Sequence, residues 1–361
     1  MGNDIGPADR LEGCQLNDGW QVIERFQSGK IKYSSCYLVQ RGNQRGFLKA
    51  FDYSDIKKAG GQDAWKRINH KYTRELKLLQ KCRDANIRAV IQLLANDRYY
   101  FKPDDLNELV EYFILEYTGD GDSLECLTNG SLSQFAIRFQ ALSDIFDGLH
   151  NLHLNGIMHL DLKAENILHF VHSRLTKITD FGSARQLIVD LDQDLLDELN
   201  SIRTTRQYAP PECLYNDFWT TDWQEYRRKV DLYLIGNVIV KFFTNVSFTA
   251  LLKDQLSNSL DWNKPENVGN GRLKIFMPHL VEGAANVYVV IKSKLKGINK
   301  ECGNPLDDKN LNDLCGIIAE LCNPVAEKRG HPRELVRKSN MNGLDRYRDR
   351  FITMRDHCLG K

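Results

Sequence analysis

The 361-residue sequence has no Cys-x-x-Cys pair, although it carries nine cysteines scattered from Cys14 to Cys358. An odd, dispersed set of thiols excludes neither reactivity nor burial. It does argue against a disulfide framework or a zinc ribbon, and makes reduced thiols in a cytoplasmic compartment the expectation. Long apolar runs are also missing. The most apolar stretch, Val230 to Phe243, is short and is broken by Asn237 and Lys241, so no membrane span is expected. Charge of one sign is not in excess, with 49 Lys and Arg against 48 Asp and Glu. That balance gives no reason to expect nucleic acid or an anionic membrane as the main partner. Internal repeats and low-complexity segments are absent. The first residues carry no secretory pattern. Met1-Gly2 starts like a myristoylation signal, but Gly6 stands where that signal needs Ser or Thr.

What is present is an ordinary globular composition, 42% apolar, in a chain long enough for two linked lobes. Residues 1–17 are polar with several glycines and are expected to form a loose lead-in. Trp20 to Phe26, Ser35 to Gln40 and Gly46 to Phe51 read as three strands, and Lys49 sits in the middle of the third. A lysine in an apolar strand needs a partner or a route to water. Residues 52–71 are mixed and charged and lead into a helix in which Tyr72, Leu76 and Leu79 recur at helical spacing, with Glu75 beside that stripe. Val90 to Tyr100 and Leu109 to Tyr117 read as two more strands. Thr118-Gly119-Asp120-Gly121-Asp122 then reads as a hinge. Beyond it Phe135, Phe139, Leu142, Phe146 and Leu149 mark a long helix, and Val230 to Phe243 a helix buried on all sides. Residues 254–311 look irregular with helical patches. Leu311 to Leu321 is an apolar helix, and Leu344, Tyr347, Phe351 and Met354 form a stripe on a basic terminal helix expected to pack on the second lobe. The expected plan is α+β with two lobes, a small mainly β lobe with one key helix and a larger mainly α lobe. Its boundaries are 1–17 for the lead-in, 18–118 for the small lobe, 119–341 for the large lobe and 342–361 for the terminal helix.

The chemistry concentrates in Met158-His159-Leu160-Asp161-Leu162-Lys163-Ala164-Glu165-Asn166-Ile167-Leu168, followed by Asp180-Phe181-Gly182. An Asp that can take a proton, a Lys that can neutralise a phosphate, and an Asn and a second Asp that can hold Mg2+ are what phosphoryl transfer requires. These motifs, with Lys49 upstream and Ala209-Pro210-Pro211-Glu212 downstream, resemble the eukaryotic-type protein kinase superfamily from about Trp20 to Arg329. The resemblance implies that Asp161 orients and deprotonates the substrate hydroxyl, that Lys163 neutralises the transferring phosphate, and that Asn166 and Asp180 hold Mg2+. A Lys at 163 is typical of the Ser/Thr type. Tyrosine kinases usually place other residues there, and small-molecule kinases of related fold commonly have His.

For ATP, the resemblance implies that Lys49 holds the α- and β-phosphates with Glu75 as its ion-pair partner. Leu115 is the gatekeeper, and the backbones of Glu116 and Thr118 meet the adenine edge. Gly29, Cys36 and Leu168 complete the nucleotide-binding set. The glycine-rich loop departs from the family pattern: Gly29 is kept, but Ile31 and Ser34 stand where two further glycines are expected. Side chains there make the lid stiffer and its fit to phosphate less close.

The segment ending at Glu212 resembles an activation segment, with Thr205 expected beside Asp161 and Lys163. Glu212 is expected to pair with Arg329, and Asp231 to hold the backbone of the catalytic loop. Leu160 stands where the family often has an Arg that pairs with a loop phosphate. Activity is therefore expected not to depend on loop phosphorylation through that arginine, while a route through other basic groups, such as Arg203 or Arg206, stays open. Asp190 to Glu198 has alternating aspartates but lacks the glycine and terminal Glu of a calcium loop, and reads as a solvated acidic insertion. His150, His153 and His159 cluster near one helix end, where packing is expected rather than a metal. The leading expectation is an ATP- and Mg2+-dependent Ser/Thr protein kinase acting on a protein substrate. The alternative is a pseudokinase serving as a nucleotide-binding scaffold. The oligomeric state is not legible.

Overall fold

The computed structural model describes residues 6–26, 34–52, 61–103, 105, 108–119, 133–186, 204–217, 223–256, 271–337 and 343–360. The chain divides into two compact units, Met1–Gly119 and Asp120–Lys361.

The first unit is built on a five-stranded antiparallel sheet. Its strands are β1 (Gln21–Arg25), β2 (Ser34–Arg41), β3 (Gln44–Asp52), β4 (Leu93–Tyr100) and β5 (Leu109–Glu116), in the order β1-β2-β3-β5-β4, and helix α1 (Gly61–Asp84) lies between β3 and β4 in the chain. Period two sorts the side chains. Tyr37, Val39, Leu48, Ala50, Val110, Tyr112 and Ile114 fall in one core cluster. On the alternate positions, Phe51 and Phe113 pack with Tyr72 of α1, at ring separations of 4.9 Å and 6.1 Å from it. Lys49 shares this second set, since it is two residues from Phe51 and opposite Phe113 in the β3–β5 register.

The first core cluster corrects an expectation. Residues 6–17 are not a loose lead-in. Ala8, Leu11, Leu16 and Trp20 are buried in the same cluster as Tyr37, Val39 and Tyr112. Tyr37 donates its hydroxyl to Ala8 O at 2.6 Å, and Asp9 accepts from Arg25 and Ser35. Trp20 fits because Gly46 has no side chain: a Cβ there would meet Ile114 at 2.6 Å and Trp20 at 3.2 Å. The stretch looked polar because its apolar residues are few, but each is spent on the open face of the sheet.

The second unit is mainly helical. In chain order it has α2 (Ser133–Leu154), β6 (Ile157–Met158), the hairpin β7 (Ile167–Phe170) and β8 (Leu175–Ile178), and β9 (Arg185–Gln186), which pairs with β6. Then come α3 (Pro211–Tyr215), α4 (Trp223–Thr244), α5 (Phe248–Gln255), α6 (Arg272–Glu301), α7 (Asp308–Leu321), α8 (Pro332–Arg337) and α9 (Leu344–Cys358). Helix α4 is buried on nearly every face, from Val230 through Ile235 to Phe243. Gly236 lets α7 approach it, since a Cβ there would meet Cys322 Sγ at 2.5 Å. Among the described residues no single helix is long and apolar enough to cross a membrane; α4 and α5 would pass only as a pair, and they are bent by 87°. Helix α9 packs on α2 through its expected stripe, with Phe351 5.1 Å from Phe146 and Tyr347 5.7 Å from it.

Residues 254–311 also differ from expectation. Arg272–Glu301 is one 30-residue helix, although residues 257–270 lie outside those described. Its buried positions Leu273, Leu280, Ala284, Val287, Ile291 and Leu295 do keep helical spacing. The pattern was hidden because the stripe is one residue wide and Pro278 falls within the early turns.

A buried carboxylate ties α2 to β8. Asp144 Oδ2 accepts from Thr176 N at 2.9 Å and Oδ1 from Gln140 Nε2 at 2.7 Å. Burial, only partly offset by these bonds, pushes its carboxyl up from 3.8 to about 6. The native carboxyl thus keeps its proton to higher pH than the unfolded one. This contribution to stability is fully present below about pH 4 and is lost as pH rises through about 6. Replacing Asp144→Asn removes that dependence. Between about pH 5 and 7.5 the variant is expected to gain on the order of 1 kcal/mol relative to the parent, measured as the difference in their urea unfolding free energies at each pH. A pH-independent difference would show that Asp144 does not titrate this way.

Candidate active site

In the first unit Lys49 Nζ lies 2.8 Å and 3.0 Å from the two carboxylate oxygens of Glu75. Strand β3 supplies the lysine and α1 the glutamate. Both are largely withdrawn from water, with side-chain exposures of 15% and 6%. Phe51 and Phe113 flank the ammonium at 5.5 Å and 5.7 Å. An ammonium held this way has a fixed position. Cys36 is opposite Lys49 in the β2–β3 register and is buried. Leu115 is buried at the end of β5. Glu116 is tied by its backbone N–H to Gln92 O at 3.0 Å, while its carboxylate accepts from Gln92 N at 2.8 Å. Thr118 follows, its hydroxyl 3.3 Å from Gly119 O. Gly29 and Ile31 lie outside the described residues.

In the second unit the loop after β6 hangs from α4. Asp231, fully buried, accepts from His159 N at 2.9 Å and from Leu160 N at 2.7 Å. His153 Nε2 donates to the same carboxylate at 2.9 Å. Leu160 takes a left-handed backbone, φ 64°, with its side chain only 2% exposed. A leucine adopts that conformation at a cost of about 1–3 kcal/mol, which Asp231 and the burial of the side chain offset. His159 turns its Nε2 to Thr179 O at 2.9 Å and stacks edge-on against Phe181, centroids 5.3 Å apart. Because a carbonyl only accepts, Nε2 carries the proton, and Nδ1 is left to accept from Asp161 N at 3.4 Å. His159 is a scaffold, as expected, and His153 and His159 each serve a different partner.

The loop then presents its polar side chains together. Asp161 Oδ1 accepts from both the N–H and the hydroxyl of Thr205, at 3.0 Å and 2.9 Å. Lys163 Nζ donates to Asp161 Oδ2 and to Thr205 Oγ1, each at 3.1 Å. Asn166 Nδ2 donates to Asp161 O at 2.9 Å, which turns its Oδ1 away from that contact. Thr179 N donates to Asn166 O at 2.9 Å, closing the open end of the β7–β8 hairpin and setting Asn166 beside the start of Asp180-Phe181-Gly182. Leu168 sits on β7 opposite Lys177. Asp180 is exposed and its Oδ1 accepts from Gly182 N at 3.3 Å. The left-handed residue of this turn is Asp180, φ 61°, rather than Gly182. Asn166 and Asp180 offer an amide oxygen and a carboxylate, hard oxygen donors of the kind Mg2+ takes.

The segment 204–212 is fixed at its far end by Glu212, whose two oxygens meet Arg329, one bond being 2.8 Å long. Arg329 also donates to Asn323 O and Pro324 O, and Lys229 donates to Arg329 O at 2.7 Å. Tyr208 OH accepts from Ala164 N at 3.5 Å. Sequence reasoning did not find His153 as the second support of Asp231. Nor did it find Ser247, Thr249 and Lys253, which reach the carbonyls of this segment. Ser247 carries an N-cap signal for α5, but its second partner lies 40 residues upstream, beyond the reach of any local pattern. Arg203, Ser201 and the acidic run Asp190 to Glu198 lie outside the described residues.

A sequence profile of the family described as the protein kinase domain matches residues 29–336, most of the chain. The chain belongs to the protein kinase family. It is 35% identical over 135 residues to serine/threonine-protein kinase PKH2 of Saccharomyces cerevisiae, covering 36% of this chain and 12% of that protein. It is 31% identical over 193 residues to serine/threonine-protein kinase 17A of Oryctolagus cuniculus, covering 51% and 46%. With cyclin-dependent kinase-like 2 of Homo sapiens it shares 28% over 219 residues, covering 59% and 39%. The matched part is thus less than half the length of each of these relatives.

Removing Asp231 would strand two buried N–H groups and the ring of His153. Asp231→Ala is expected to lower the unfolding free energy by on the order of 3 kcal/mol, from buried donors left without acceptors. Urea denaturation measures it. A change under about 1 kcal/mol would mean that the loop is held by other means.

Proposed function

We propose that the chain is an ATP-dependent serine/threonine protein kinase, transferring the γ-phosphoryl group of ATP to a Ser or Thr hydroxyl of a protein. The observation that carries this reading is the hydroxyl of Thr205. It donates to Asp161 Oδ1 and accepts from Lys163 Nζ. A substrate hydroxyl needs the same two contacts: a carboxylate to take its proton and a cation beside the oxygen where the phosphoryl group arrives.

In this reading Asp161 orients the acceptor oxygen and takes its proton as the oxygen bonds to phosphorus and the ADP oxygen leaves. Lys163 steadies the charge on the transferring group. Lys49, fixed by Glu75, binds the α- and β-phosphates. Asn166 and Asp180 hold Mg2+, which when bound with the nucleotide neutralises charge on its phosphates. Gly29, Cys36, Leu115, Glu116, Thr118 and Leu168 complete the nucleotide contacts. Catalysis is then mostly positioning and charge stabilisation.

Leu160 supports a statement about control. Its side chain is apolar and buried, so it cannot bind a loop phosphate as an arginine would. Among Ser201→Ala, Thr204→Ala and Thr205→Ala, only the last is expected to lose activity, with loop phosphorylation undetectable by mass spectrometry in the parent. Full dependence on a loop phosphate would contradict this. The sequence of the phosphate-binding loop, with Ile31 and Ser34 in place of glycines, favours a second reading as a nucleotide-binding scaffold. One experiment separates the two: label transfer from γ-labelled ATP with Mg2+, parent against Asp161→Asn. The kinase reading expects a loss on the order of 100-fold or more. Equal transfer, or nucleotide binding with no transfer in the parent, would remove it.

A further inference from the structure

The stretch that follows Thr205 has little secondary structure of its own. Tyr208 N and Ala209 N both donate to Thr205 O, at 2.8 Å and 3.0 Å. That leaves the carbonyls of Arg206, Gln207 and Ala209 to find donors elsewhere. All three find them on one helix, α5, the first two at its N-terminus and the third in its last turn. Ser247 Oγ donates to Gln207 O at 2.5 Å, Thr249 Oγ1 to Ala209 O at 3.1 Å, and Lys253 Nζ to Arg206 O at 3.0 Å.

Two of the three donors are themselves fixed. Ser247 caps α5 by accepting from Ala250 N at 3.2 Å, and Thr249 N donates to Asn237 Oδ1 of α4 at 2.8 Å. Asn237 and Thr249 are fully buried, and Asn237 Nδ2 donates to Tyr233 O at 2.9 Å. The line of support therefore runs from the core of α4, through the first turn of α5, to the backbone that sets Thr205 against Asp161 and Lys163. Each contact on the segment is to a main-chain carbonyl, so it depends neither on the segment's side chains nor on a phosphate.

We propose that Ser247, Thr249 and Lys253 are positioning residues that hold residues 205–209 in register with Asp161, and that they do so without a phosphate. The inference rests on the kinase reading for its consequence, since this backbone is where a protein substrate's acceptor would be aligned. It also gives Leu160 a counterpart: the loop needs no phosphate–arginine pair where α5 already holds the backbone.

Trypsin supplies a readout that does not require activity, because the staple grips the carbonyl of Arg206, the bond trypsin cuts. The 361-residue chain is treated with a broad-specificity phosphatase, and cleavage after Arg206 is followed by mass spectrometry. The parent is expected to resist. Lys253→Met and Ser247→Asp are each expected to speed that cleavage several-fold, and the pair by on the order of 10-fold, the worth of two hydrogen bonds. Aspartate at 247 still caps α5 but cannot donate to Gln207 O, so the effect is separated from helix unfolding. Ser247→Thr, which keeps the hydroxyl, is expected to restore the parent rate. If the double variant does not fold, Lys253→Met alone carries the test. In transfer assays the variants are expected to raise KM for a Ser/Thr peptide by a similar factor and to leave ATP binding unchanged. Equal cleavage in parent and variants, or a parent that resists only when its loop is phosphorylated, would overturn the proposal. The expected cleavage pattern in a parent that transfers no phosphate would keep the staple and sink the kinase reading.

Discussion

One buried carboxylate carries the geometry of the larger unit. Asp231 lies in the first half of α4, a helix with almost no exposed face, and reaches out of it to two successive backbone N–H groups of the loop bearing Asp161. A helix packed on all sides has little freedom to rotate or slide, because any shift opens cavities. Asp231 converts that rigidity into a fixed path for a segment with only a two-residue strand before it and a short helical turn after it. The unusual backbone of Leu160 follows from the same constraint. So does the use of His153, which satisfies the remaining demand of a carboxylate that water does not reach.

Two groups of charges in the larger unit are managed by opposite means. Glu212 and Arg329 are removed from water almost entirely, and every strong donor of the guanidinium has a named acceptor. Such a pair adds little net stability over an apolar contact but is costly to break, which suits a fixed joint between a segment and the helices around it. Asp161 and Lys163 are instead left partly open, with side-chain exposures of 14% and 22%. They face a hydroxyl, not a permanent counter-ion network. In the kinase reading, groups that must exchange partners during a reaction need that access, whereas Glu212 and Arg329 need only hold still.

Much of this was legible in the sequence where the signal is local. Lys49 could be placed on a strand by the turn residues that bound its apolar run. Asp161, Lys163 and Asn166, close in the sequence, do meet in one hydrogen-bonded cluster, and the pillar helix was marked by an apolar run too short for a bilayer. The stripe Leu344, Tyr347, Phe351 and Met354 packs on α2 as its periodicity implied. What escaped was of two kinds. Elements with thin stripes were diluted by polar residues, as in α6 and in the segment from Pro7 to Trp20. Contacts between distant positions left no pattern at all. Nothing around Ser247 or Lys253 indicates that their partners are carbonyls near Tyr208, and nothing around Asp9 points to Ser35. Such contacts are set by the tertiary path of the chain, and backbone acceptors look alike at every residue.

In the proposed function the hydroxyl between Asp161 and Lys163 marks the place of a protein Ser or Thr. A peptide library with equal representation of Ser, Thr and Tyr acceptors, incubated with the protein, ATP and Mg2+ and read by mass spectrometry, tests it directly. Phosphate is expected on Ser and Thr alone, and is lost when Asp161 is replaced by Asn. Phosphate on Tyr, or none on any acceptor, would contradict it.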